Sequence, residues 1–334
     1  MRFPLSLQIS LTSYLLKNKL SSREKFPMVL MLEPTHACNL ECSGCGRIHE
    51  YKDSIAESLS LEDCLLAVDE SGAPVVSVTG GEPLIYSQIG ELISGILQKK
   101  KHIYFCTNGL LLEKSLHKFK PSPRLNFNIS LDGMEKTHDA VSGKPGVFTQ
   151  AIQAIKAAKK KGFRVCTNTS IFKKTDMDEI EELFSLLDSL KIDGILVAPA
   201  FGYEDVGKDI FLDRQAIHKK FRKIYALSSK YKLQSTPLYL KFCMGERDLK
   251  CTPWGNPTRN PQGWKSPCYL ITDTHYPTYK DLMEKTPWEK YGVGNDPRCA
   301  NCMMHCGFEP TVVQEVGKRL PDLWEMIVWN MKTS

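Results

Sequence analysis

The sequence predicts an α/β fold, a partial parallel (β/α)6 barrel with a cysteine-containing C-terminal extension. Three features carry the prediction. Short apolar runs rich in Val and Ile alternate six times with segments of helical character. Polar and glycine-bearing turns follow the runs, where ligand sites of parallel barrels are built. Two groups of cysteines lie near opposite ends of the chain.

The elements follow in order. Met28 to Leu32 is a continuous apolar run, the signature of a strand buried on both faces. Thr35 to Gly46 reads as a loop. Leu61 to Ser71 has helical spacing, and Pro74 to Val78 is a second strand ending in Thr79-Gly80-Gly81-Glu82-Pro83. A helix over Ser87 to Lys99 leads to a third strand, Ile103 to Cys106, closed by Thr107-Asn108-Gly109. Leu125 to Leu131 is the fourth, ending in Asp132-Gly133. Phe148 to Lys161 is helical, and Arg164 to Ile171 is a strand carrying Asn168. Asp176 begins a helix running to Leu190, with Glu179 placed for a capping box. Ile195 to Pro199 is the sixth strand. The polar stretch 202–215 marks a boundary, which divides the chain into an N-terminal amphipathic segment (1–25), the barrel (26–215) and a C-terminal substrate or auxiliary region (216–334).

The chain has 334 residues, enough for a large core. Its 42% hydrophobic and 25% charged residues exclude a disordered chain, a collagen-like repeat and a polytopic membrane protein. The net charge of +6 is too small an excess to argue for nucleic acid, and no nucleic-acid partner is expected. It suits an anionic ligand or an anionic membrane surface. Ser6, Gln8, Ser10, Thr12 and Ser13 interrupt the apolar N-terminus, and no cleavage site follows. The expected location is cytoplasmic, with peripheral contact at the inner face of the membrane. There, thiols hold metal or do chemistry more often than they pair.

Twelve cysteines are present. Cys38, Cys42 and Cys45 form C-x3-C-x2-C in the loop after the first strand. Three thiolates can hold three irons of a cubane and leave the fourth open to a ligand. A zinc knuckle with a distant fourth ligand is the competing reading. Cys299, Cys302 and Cys306 form C-x2-C-x3-C, with Cys268 upstream; an auxiliary iron–sulfur cluster, structural zinc, or thiols that bind nothing all fit that pattern. Cys251 and His305 are alternative ligands there. Cys64, Cys106, Cys166 and Cys243 are solitary, as small buried hydrophobes often are.

The cysteine motif after a first strand, followed by Thr79 to Pro83 and Thr107 to Gly109, resembles the radical S-adenosylmethionine (SAM) superfamily. The resemblance implies a 4Fe-4S cluster on Cys38, Cys42 and Cys45, with SAM closing its fourth iron. Gly80, Gly81 and Glu82 would hold the methionine end. Asn108, Ser130, Asp132 and Asn168 would meet the ribose and carboxylate, although strand-end turns alone would explain Ser130 and Asp132. One electron, from a donor such as flavodoxin or ferredoxin, would cleave SAM to a 5′-deoxyadenosyl radical.

The stretches VLMLEPTHACNLECSGCGRI, LSLEDCLLAVDESGAPVVSVTGGEPL, YFCTNGLLLEK and CTPWGNPTRN are similar to the adenosyl-hopene transferase family of hopanoid biosynthesis. That similarity runs over nearly the whole chain. It implies addition of the radical to the alkene of diploptene, a hydrophobic substrate, giving adenosylhopane. The tertiary carbon radical left behind needs a hydrogen atom, and Cys106, at a strand end, is the expected donor; a buried core cysteine is the competing reading. The rival function is a hydrogen-abstracting enzyme or maturase with an auxiliary cluster, acting on another lipid or a peptide. For the N-terminus, Leu5, Leu11, Tyr14, Leu15 and Leu20 are expected to share much of a helical face beside Lys17, Lys19, Arg23 and Lys25. Such a helix either lies at a membrane interface or caps the open barrel.

Overall fold

The structure is a computed structural model describing residues 2–203 and 206–331. Nine strands form one sheet in the order β6-β5-β4-β3-β2-β1-β7-β8-β9. The first six, β1 (Val29–Leu32), β2 (Val75–Val78), β3 (His102–Thr107), β4 (Leu125–Ser130), β5 (Arg164–Ile171) and β6 (Gly194–Pro199), are parallel neighbours in chain order. Each lies within one or two residues of its expected place.

The C-terminal region continues this sheet. β7 (Thr258–Asn260) pairs parallel with β1, and β8 (Gly263–Pro267) and β9 (Thr272–Tyr276) extend it antiparallel. The longer helices are α1 (Leu5–Leu20), α2 (Leu61–Ser71), α3 (Ile89–Gln98), α4 (Val147–Lys160), α5 (Met177–Ser189), α6 (Arg214–Leu227), α7 (His305–Glu315) and α8 (Leu320–Met331). Among the described residues, no helix is long and apolar enough to cross a membrane.

Strand alternation sorts the barrel's two faces. Leu30, Leu32, Val76, Val78, Phe105, Phe127, Ile129 and Val165 are almost wholly buried and form the core beneath the helices. Phe105, Phe119, Phe127 and Phe163 meet there edge to face. The alternate positions, Ser77, Cys106, Asn126, Asn128, Cys166 and Asn168, point the other way, into the barrel.

Three local expectations change. Asp176 caps α5 by accepting from the Asp178 amide at 2.9 Å, but Glu179 completes no capping box. Its carboxylate instead accepts from the Met134 amide and the Thr137 hydroxyl, both at 2.9 Å. In α1 the five named apolar residues share no single face: Leu5 and Leu20 are exposed, while Leu11, Tyr14 and Leu15 are half-buried. Of the boundary stretch 202–215, Glu204 and Asp205 lie outside the described residues; the Ile210 carbonyl accepts from the Lys173 amide at 2.9 Å.

Candidate functional site

Three loops at the C-terminal ends of β1, β2 and β3 are laced into one surface. The Gly81 amide donates to the Thr35 carbonyl (3.1 Å) and the Glu82 amide to the Ala37 carbonyl (2.8 Å). Glycine is required here by contact: a Cβ on Gly81 would stand 2.1 Å from the Ala37 carbonyl oxygen, and one on Gly80, at φ +114°, 2.7 Å from that of Thr35. Gly80 and Gly81 therefore pack the second loop against the cysteine loop. Asn108 ties the third loop in, its amide nitrogen donating to Asn39 Oδ1 at 2.7 Å.

Glu82 ties the second loop to the third. Its fully buried carboxylate accepts from the Thr107 hydroxyl at 2.9 and 3.0 Å, the Asn108 amide at 2.9 Å and the Leu84 amide at 3.0 Å. The side chain thus holds the Thr107–Gly109 turn. Burial pushes its carboxyl up to about 7 against the pull of these donors.

Cys38, Cys42 and Cys45 are half-buried on the loop across the barrel mouth. They lie close enough to sense one another: burial, then the charges of Cys45 and Cys38, pushes the Cys42 thiol up to about 12. Phe172 packs at Gly44 and Tyr203 at Gly46, so loops after β5 and β6 brace the motif. Among the described residues, no three His, Cys, Asp or Glu side chains converge where a single ion would sit. A cubane makes a different demand, because each thiolate takes its own iron and the thiols must surround a volume.

Cys106 faces the barrel interior, half-exposed, with Ser77 Oγ at 3.5 Å and Asn128 Nδ2 at 3.8 Å. Burial raises its pKa, which keeps the S–H proton in place at neutral pH. Asn126, Asn128 and Asn168 each leave a buried Oδ1 without a partner. Asp132 joins the ends of β4 and β5, its Oδ1 accepting from the Ser170 amide at 2.7 Å. Ser130 sits opposite Asn168 at the β4–β5 end, half-exposed.

A cavity at the C-terminal region is lined by five thiols: Cys251, Cys268, Cys299, Cys302 and Cys306. Phe201, Leu270 and Ile271 make its remaining walls apolar. The tertiary fold thus adds Cys251 to the four expected cysteines, and His305 is not among the lining residues. A Cβ on Gly307 would meet Cys251 Sγ at 2.6 Å, so α7 packs directly on that sulfur.

Sequence reasoning missed the charged network between the two cysteine regions. Buried Glu33, directly after β1, pairs with Arg47, two residues beyond Cys45. Buried Lys265 pairs with Glu50 at 2.9 Å. The only local signal was an acid placed immediately after an apolar strand.

Residues 32–187 match the radical SAM superfamily. This region is a radical SAM domain. Residues 195–326 match a domain of unknown function, DUF3463. The chain is 31% identical over 207 residues to the Fe-coproporphyrin III synthase of Methanosarcina barkeri, covering 59% of this chain and 51% of that protein. It is 32% identical over 206 residues to the subtilosin biosynthesis protein AlbA of Bacillus subtilis, covering 57% and 43%. The chain spans about half the length of these curated relatives. The structure of SuiB from Streptococcus suis bound to its precursor peptide SuiA aligns with a TM-score of 0.64 and 17% identity, over 90% of this chain and 76% of that one. SuiB bound to SAM aligns at 0.60 and 20% identity, over 74% and 61%. At these identities the likeness to SuiB is one of fold.

The cofactors of the radical SAM domain are a 4Fe-4S cluster and SAM. The residues present fit them. Three thiols on one loop could hold three irons, and the unpaired Asn oxygens of the interior offer acceptors to a polar co-substrate. The five-thiol cavity has ligands enough for an additional cluster.

Proposed function

We propose that the protein is a radical SAM enzyme that adds the 5′-deoxyadenosyl group to the terminal alkene of a diploptene-like hydrocarbon, forming adenosylhopane. The observation that carries this reading is the Cys106 thiol on the interior wall, directly before the Thr107–Gly109 turn held by Glu82. Cys38, Cys42 and Cys45 hold the cluster, and the Gly80–Gly81 loop and Asn108 shape the SAM side. Bound there, cluster and SAM supply a 5′-deoxyadenosyl radical. Its addition to the alkene forms one C–C bond and leaves a carbon radical. Cys106 delivers a hydrogen atom from Sγ to that carbon. The thiyl is restored by one electron and one proton from an external reductant, of the flavodoxin or ferredoxin class. The similarity of CTPWGNPTRN and its companion stretches to adenosyl-hopene transferases supports the same reading.

A second reading is a maturase that abstracts hydrogen from a peptide with help from an auxiliary cluster. AlbA, a bacteriocin biosynthesis protein, and SuiB, bound to a precursor peptide, support it more than they support the first. The polar interior wall and the five-thiol cavity agree with it. Anaerobic incubation of reconstituted protein with SAM, a reductant and diploptene, followed by mass spectrometry of the lipid extract, separates the two. Adenosylhopane is the expected product. Release of 5′-deoxyadenosine with the lipid unconsumed would reject the first reading. In the Cys106→Ala variant the adduct should form with altered yield or stereochemistry; an unchanged product would remove Cys106 from the reaction.

A further inference from the structure

Among the described residues, nine of the thirteen exposed large hydrophobic side chains lie on α1 and α8. On α1, Leu5, Ile9, Leu16 and Leu20 are 57%, 59%, 56% and 87% exposed. Spacings of four, seven and four residues keep them on one face. On α8, Leu320, Trp324, Ile327 and Met331 follow at four, three and four, with Leu323 beside them. The polar residues of α8 turn inward instead: Asp322 pairs with Arg247 at 2.6 Å and Glu325 with Lys241 at 2.7 Å. This is the reverse of an ordinary surface helix, whose apolar stripe faces the core.

The two helices are linked at both ends and run in opposite directions. At one end the Arg2 guanidinium lies 4.4 Å over the Trp329 ring, Arg2 Nε donates to the Trp329 carbonyl at 3.1 Å, and the Arg2 amide donates to the Asn330 carbonyl at 3.1 Å. At the other end Lys19 reaches Gly317, just before α8. Their apolar stripes therefore belong to one region of the surface. Exposed cations gather where the end of α1 meets the start of α8: Lys17, Lys19, Arg23, Lys25, Lys318 and Arg319. Of the acids nearby, Glu315 is paired with Lys318, and exposed Glu24 stands among the cations.

We infer that α1 and α8 together form a docking surface for an anionic lipid bilayer. The two stripes enter the headgroup–acyl boundary, Trp324 anchors at that depth, and the cationic end meets the phosphates. The exposed cations at one end of the two stripes match the charge of an anionic bilayer, which decides for that partner. The inference deepens the proposed function, in that a bilayer is where a water-insoluble hydrocarbon is drawn from. It stands on different residues, however, and its test omits that substrate.

The test is sedimentation of the full-length, cluster-loaded protein with hopanoid-free vesicles of phosphatidylcholine, with and without phosphatidylglycerol. Binding should require the anionic lipid and weaken with salt. Ile9→Ser/Leu16→Ser and Trp324→Ser/Ile327→Ser should each lower vesicle partition roughly tenfold. Lys17→Glu/Lys19→Glu/Arg319→Glu should remove the preference for anionic lipid. The variants should keep the wild-type melting temperature and SAM cleavage in detergent, which separates docking from folding and chemistry. Vesicle binding that is absent, or unchanged in both apolar variants, would overturn the inference. So would a wild-type dimer that Trp324→Ser/Ile327→Ser converts to monomer without effect on lipid.

Discussion

The Arg47 guanidinium lies over the ring of Tyr269, 4.1 Å from its centroid, and joins the two cysteine-bearing regions of the protein. Arg47 stands two residues beyond Cys45, and Tyr269 follows Cys268, which lines the C-terminal cavity. The Tyr269 hydroxyl in turn meets Thr79 Oγ1 at 3.3 Å, at the head of the Gly80–Gly81 loop. Both cysteine regions thereby share one support.

Removing the charge from that support should be costly. Arg47→Met leaves the buried Glu33 carboxylate without its partner, and breaking one side of a buried pair costs about 3–5 kcal/mol. Urea melts should show that loss, and Arg47→Met/Glu33→Met should recover much of it. Equal losses in the single and double variants would show that the pair itself is unimportant.

Glu82 should leave a signature in pH. Its folded carboxyl titrates at about 7, above the ordinary 4.5, so the folded state holds the proton longer than the unfolded state. Stability from this group is full below about 4.5 and falls as pH rises to about 7. Measured against Glu82→Gln, the wild type should lose up to about 3 kcal/mol between pH 4.5 and pH 7. A flat difference between the two proteins over that window would contradict the assignment.

Gly81→Ala should disrupt the laced loops, because its methyl group would meet the Ala37 carbonyl oxygen, which belongs to backbone and cannot swing away. Overpacking of this kind costs about 1–3 kcal/mol. Iron uptake on reconstitution should fall with it. Gly207→Ala, where nothing among the described residues lies within 4 Å, is the matched control and should behave as wild type.

The five-thiol cavity makes a prediction in metal content. A Cys38→Ala/Cys42→Ala/Cys45→Ala variant should retain one cluster's worth of iron and sulfide after anaerobic reconstitution. Cys268→Ser/Cys302→Ser should lose that portion and keep the other. Zinc in place of iron in the first variant would assign the cavity to a structural ion, and no metal at all would leave it an apolar pocket lined by thiols.

The barrel was legible because its determinants are local. A strand buried on both faces must read as an apolar run, as at Val75–Val78, and a loop that passes within contact of another backbone must be glycine, as at Gly80 and Gly81. Local signals failed where a distant partner outbid a near one. Glu179 had a capping box within reach and bonded to Met134 and Thr137 instead.

Local sequence sufficed for the strand order of the barrel and for the three-thiol loop after β1, since spacing and residue type enforce them. Tertiary packing alone sets that Cys251 joins four other thiols around one cavity, that Arg47 reaches Glu33 and Tyr269, and that α1 and α8 both turn apolar faces outward. Those relations bring together residues tens to hundreds of positions apart, and burial and charge pairing across such distances depend on the packing of the whole chain.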